Sequence, residues 1–131
     1  MDAVQMTVME PTLLQSLLLV AIGGAVGAVL RFSMGHVVDS SQFPWATFAV
    51  NLIGSFCLAL LMFGWPDISP EWRVLLFTGL FGAFTTMSTF TVDTVTMLYD
   101  GRTGEALMNF VLNPCLCIGG ALAGRYVALL F

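Results

Sequence analysis

Twelve residues near the middle of the chain, "GAFTTMSTFTVD" from Gly82 to Asp93, carry five hydroxyl side chains: Thr85, Thr86, Ser88, Thr89 and Thr91. Two more polar stripes occur at helical spacing. Thr47, Asn51 and Ser55 recur every four residues, as do Asn109, Asn113 and Cys117, so each set shares one helix face. Hydroxyls and uncharged amides can donate to an anion without holding it too tightly to leave. A glycine-flanked break in a membrane helix also exposes carbonyls, which can hold a cation. These residue types therefore point to ion handling. No nucleophile–base set or metal-ligand cluster stands in the sequence, and His36 is the sole histidine, so an enzyme is not expected.

The elements that carry these residues must lie in a membrane. Only 9% of the chain is charged and 58% is hydrophobic, against about a quarter charged in soluble domains. Residues 13–38, 45–65, 71–99 and 105–131 each supply roughly the 20 mainly apolar residues that a spanning helix needs. Trp45 and Trp65 bracket the second span as interfacial aromatics. Ser69 before Pro70 predicts a helix start at the third. The expected fold is an all-α membrane domain of four helices over 13–131, preceded by a short tail, 1–12. That tail has no Lys or Arg, so a secretory signal is not expected. The four arginines and eight acids form no basic stripe, which argues against nucleic acid. Cys57, Cys115 and Cys117 lie in apolar runs and read as small buried hydrophobes.

The third span is too long for one straight crossing. As a continuous helix it would measure roughly 43 Å at 1.5 Å per residue, against a hydrocarbon core of roughly 30 Å. Gly79, Gly82 and the hydroxyl cluster fall near its centre. A break there, lined by protein or water, is the expectation. The plainer alternative is an unbroken helix whose Ser and Thr bond back to carbonyls one turn earlier. Asn51 likewise has two readings, ion contact or helix-to-helix hydrogen bonding.

With four spans both termini lie on one side. Arg73 and Arg125 fall on that side and Arg31 and Arg102 on the other, two against two. The positive-inside rule then sets no orientation, and a chain that inserts either way can pair with an inverted copy of itself. Gly23 and Gly27, and again Gly120 and Gly124, form GxxxG steps that let helices approach closely, either within the chain or between subunits.

With these residues in view, the chain resembles the Fluc fluoride channels, also called the CrcB family, from about Leu14 onward. "GGAVGAVLRF" is similar to the family's glycine-rich first helix, with Gly23, Gly24, Gly27 and Arg31. "TFAVNLIGSF" is similar to the second-helix motif, with Asn51 at the pore-facing asparagine and Gly54 behind it. "GLFGAFTTMSTFTVD" resembles the broken third-helix signature, which usually ends T-F-S-T-F-S and then an acid.

The resemblance implies a passive channel that exports fluoride across the inner or cytoplasmic membrane. It would work as an antiparallel, dual-topology homodimer embedded in lipid, with two pores along the subunit boundary. It also implies a structural sodium ion at the dimer centre, held by the backbone carbonyls of Gly82 and Thr85. The implied fluoride path takes in Thr47, Asn51, Met87, Ser88, Thr89, Phe90 and Asn113, with Arg31 near a vestibule. Met87 departs from the family, which places phenylalanine there; a flexible thioether replaces a ring edge with partial positive charge. Asp93 matches the acid after the signature and is given no role. Two rivals remain. A small multidrug transporter has this size and topology but needs a glutamate in its first helix, and no acid lies between Leu13 and Val38. A non-conducting scaffold would use the polar residues for assembly alone.

Overall fold

The computed structural model describes residues 9–131, and those residues form helices and short turns with no strand. Helix α1 is Leu13–Val37, α2 is Trp45–Gly64, α3 covers 70–84, α4 is Met87–Tyr99 and α5 is Thr103–Ala128. The α3–α4 pair makes the third crossing, so among the described residues four stretches are long and apolar enough to span a membrane. The first eight residues of the expected tail lie outside the described residues. Thr12 opens α1 through a reciprocal capping box with Gln15. Ser69 and Pro70 occupy the expected N-cap and first helical position of α3, although the Ser69 side chain makes no capping bond. The fourth span begins at Thr103 rather than Glu105.

The helices pack as two pairs: α1 lies along α3, and α2 along α5, with α4 against α5. Glycine decides both main contacts. A Cβ at Gly23 or Gly27 would strike the carbonyl oxygen of Leu75 or Leu80, and one at Gly124 would strike that of Phe56. A Cβ at Gly120 would come within 2.8 Å of Leu52 Cδ1. Both GxxxG steps are thus used inside the chain, where close backbone approach replaces the hydrophobic drive that lipid cannot supply. The two carbonyls that meet the α1 glycines belong to Val74–Phe81, which is wound in wide π-type turns. There the Gly82 amide reaches back five residues to Phe77.

The interior is unusually polar for so apolar a chain. Thr47, Asn51, Thr86, Asn109 and Asn113 are buried, while Leu17, Val29, Leu122 and Tyr126 are among many large apolar side chains left outside. This distribution suits a lipid solvent, in which polar groups must find partners within the protein.

At one end of the bundle the turns are pinned by polar bonds. Gly101, at φ 75°, closes α4, and the Arg102 amide reaches back to the Met97 carbonyl at 2.8 Å, the left-handed helix ending that glycine favours. Arg102 also pairs with Glu105 and donates to the Gln42 carbonyl, joining two loops. In the α1–α2 loop the Ser41 amide donates to Asp39 at 2.9 Å and holds that carboxyl below its usual range.

Candidate ion pathway

The third crossing breaks where the glycine and threonine spacing predicts. Thr85 and Thr86 are extended, with φ/ψ of −81°/158° and −150°/119°. The break is held from three directions. Asn51 Nδ2 donates to the Thr86 carbonyl at 3.0 Å, and Asn51 Oδ1 accepts the Thr86 amide at 2.8 Å. Arg31 Nη1 donates to the Thr85 carbonyl at 3.4 Å. Thr86 then caps α4 with its own hydroxyl, which accepts the Thr89 amide at 3.2 Å and donates to Thr89 Oγ1 at 3.0 Å. Gly54 leaves room for the arrangement, since a Cβ there would strike the Thr85 methyl.

Two cavities flank the Asn51–Thr86 pair. One, of about 290 Å³, is lined by Asn51, Ser55, Met87, Phe90, Asn113 and Cys117 among others. The other, of about 380 Å³, is lined by Arg31, Phe32, Thr47, Thr86 and Thr89 among others. Thr86 touches both, so the latched backbone forms the partition between them. The polar stripe on α2 is divided accordingly: Ser55 faces the first cavity and Thr47 the second. Behind the second, Thr47 Oγ1 donates at 3.0 Å to Oδ2 of Asp93, a residue outside that cavity's wall.

Most residues singled out from the sequence come together here. Asn51, Met87, Phe90 and Asn113 share the first cavity, and Arg31, Thr47 and Thr89 the second. Phe90 is 5% exposed and Met87 73% exposed, so the methionine projects from the wall that the phenylalanine builds. Ser88 is exposed and lines neither cavity; its Oγ lies 3.4 Å from Thr86 Oγ1. Asn51 is not simply a free donor, because the break backbone takes its oxygen and one of its N–H groups. On α5, Asn109 faces neither cavity and donates to Thr94 Oγ1 at 2.9 Å. Thr86 is the residue that sequence reasoning undervalued. It stood among five similar hydroxyls, and only its pairing with a residue 35 positions away distinguishes it.

The carbonyls expected to hold sodium can be judged by their partners. In an unbroken helix the Gly82 carbonyl would accept the Thr86 amide, but that amide goes to Asn51. Gly82 is also exposed, and among the described residues no backbone amide donates to its oxygen. Thr85 keeps one carbonyl lone pair beyond the bond from Arg31. Both oxygens are hard, uncharged ligands of the kind an alkali cation takes, so the residues fit the group.

The chain is similar to known proteins along most of its length. A family model described as "CrcB-like protein, Camphor Resistance (CrcB)" matches residues 18–125. A protein of Methanococcus aeolicus named "Fluoride-specific ion channel FluC" is 37% identical over 119 residues, covering 88% of this chain and 97% of that protein. Proteins of the same name from a Sulfurovum species and from Shewanella frigidimarina are 40% and 44% identical. They cover 88% and 79% of this chain, and 93% and 87% of their own lengths. A four-crossing bundle with a latched break, matched along most of its length, belongs to the CrcB-like family.

Proposed function

We propose that this protein is a fluoride-specific channel subunit of a cytoplasmic or inner membrane. The observation that carries this reading is the cavity beside the break, where Asn51, Asn113 and Phe90 meet with no charged side chain in the wall. Fluoride is small and strongly hydrated, so stripping its water requires close donors and a narrow path. Amide hydrogens and aromatic edges are such donors, and being neutral they release the ion again.

The break supplies a favourable field for both ions. Helix α4 begins at it and presents the positive end of its dipole, whereas α3 ends at it and presents carbonyls. We assign a structural sodium ion to the Gly82 and Thr85 carbonyls. When bound, that cation would offset the cost of bringing an anion to the middle of the membrane. Arg31, in the wider cavity, raises the local anion concentration at the mouth.

The working unit in this reading is an antiparallel pair within the lipid. Two features support it. The arginines split two and two between the sides. Thr78, Ser88 and Thr91 are also exposed on the single chain within the third crossing, hydroxyl groups that suit a second copy better than lipid.

The test is anion efflux from liposomes carrying the purified protein, with fluoride and chloride compared. Rapid fluoride efflux with little chloride is expected. No fluoride efflux from protein shown to be dimeric would overturn the reading in favour of a scaffold.

A further inference from the structure

The two asparagines of α5 present opposite ends of their amides, and the neighbour of each explains why. Thr94 Oγ1 donates to the Phe90 carbonyl at 2.8 Å, which leaves its oxygen as an acceptor. Asn109 therefore turns its N–H groups toward Thr94, and its Oδ1 has no hydrogen-bond partner. One turn along, the order reverses. Cys117 Sγ donates to Asn113 Oδ1 at 3.5 Å, and Asn113 Nδ2 is left unpartnered although the residue is only 3% exposed. Both Asn113 and Cys117 line the 290 Å³ cavity that holds Asn51 and Phe90.

We propose that Cys117 is a positioning residue: its thiol holds the Asn113 oxygen, so that the amide N–H groups stay unspent within the cavity wall, where an anion moving along that wall can take them. The inference rests on the fluoride-channel reading. A thiol donates weakly and accepts weakly. Turning N–H groups toward the sulfur gains little, while turning the carbonyl toward the S–H makes a bond. The amide polarity follows. The reverse orientation would present a carbonyl oxygen to the anion and repel it. A buried donor without a partner is unfavourable unless something fills the place, and a passing anion does so.

The test compares fluoride and chloride efflux for the wild type, Cys117→Ala, Cys117→Ser and Cys115→Ala, each checked for assembly by size exclusion. Cys117→Ala is expected to lower fluoride efflux about threefold or more, the scale of one neutral hydrogen bond, and to narrow the preference over chloride. Cys117→Ser keeps a donor and restores both. Cys115→Ala, an exposed thiol on the same helix, changes neither. In an Asn113→Ala background, Cys117→Ala adds no further loss. A direct readout needs no conduction: the infrared S–H stretching band that disappears in Cys117→Ala lies below that of a free thiol and rises in Asn113→Ala. Wild-type efflux from Cys117→Ala, or a band unmoved by Asn113→Ala, overturns the proposal. Absence of fluoride efflux from the wild type overturns the channel reading, and the infrared band then decides the thiol–amide contact alone.

Discussion

The side chain of Asn51 is paired with the backbone of Thr86 through both its polar atoms, at 3.0 Å and 2.8 Å. One amide group thus replaces two hydrogen bonds that the interrupted helix cannot make. It also leaves one Asn51 N–H free beside the cavity. Structural support and ion contact are therefore two uses of the same side chain.

Asn51→Asp removes the donor and sets a carboxylate against the Thr86 carbonyl. Fluoride efflux should fall about tenfold or more, the equivalent of ~1.4 kcal/mol, and the protein should unfold at a lower temperature in detergent. Asn51→Ala leaves the Thr86 amide and carbonyl unpaired, at about 1–3 kcal/mol. It should destabilise the protein without adding charge. Liposome efflux and thermal unfolding measured on the same preparations separate the two effects.

Close helix contact through glycine predicts a graded series. Gly27→Ala and Gly124→Ala each drive a methyl into a backbone carbonyl, of Leu80 and Phe56 respectively. Each should cost about 1–3 kcal/mol, the usual scale of overpacking. Gly35→Ala meets nothing within 4 Å and should be neutral. Unfolding midpoints in one detergent check all three.

Phe90 and Met87 should differ in kind. Phe90→Ala opens a buried wall and is expected to cost about 3 kcal/mol of stability as well as fluoride efflux. Met87, largely exposed, should accept Met87→Phe with its fold intact. Fluoride efflux at least equal to wild type is the expected result, since a ring edge presents partial positive charge where a thioether does not. The fluoride-to-chloride ratio for each variant is the deciding measurement.

Gly101 holds a left-handed conformation at φ 75° in open surroundings. Gly101→Ala should therefore cost about 1 kcal/mol from backbone strain alone, with conduction unchanged. The unfolding midpoint and the efflux rate test the two halves of that statement.

The crossings and the break were legible in the residues because lipid imposes local rules. A spanning helix must be apolar over a set length, and an interruption needs glycine and hydroxyls in the same short stretch, as in 79–91. GxxxG at Gly23–Gly27 and Gly120–Gly124 announced close approach for the same local reason. Which helix each would meet was not legible, because the spacing describes one surface and says nothing of its partner; the fold gave both steps to neighbours within the chain. Thr86 and Asn113 show the limit most clearly. Thr86 matches Thr85 in type, and Asn113 matches Asn109. Only Asn51 against the first, and Cys117 and Thr94 against the two asparagines, set which polar atoms are spent on the protein and which are left without a partner. Hydrogen-bond polarity is a property of pairs, and the tertiary structure chooses the pairs.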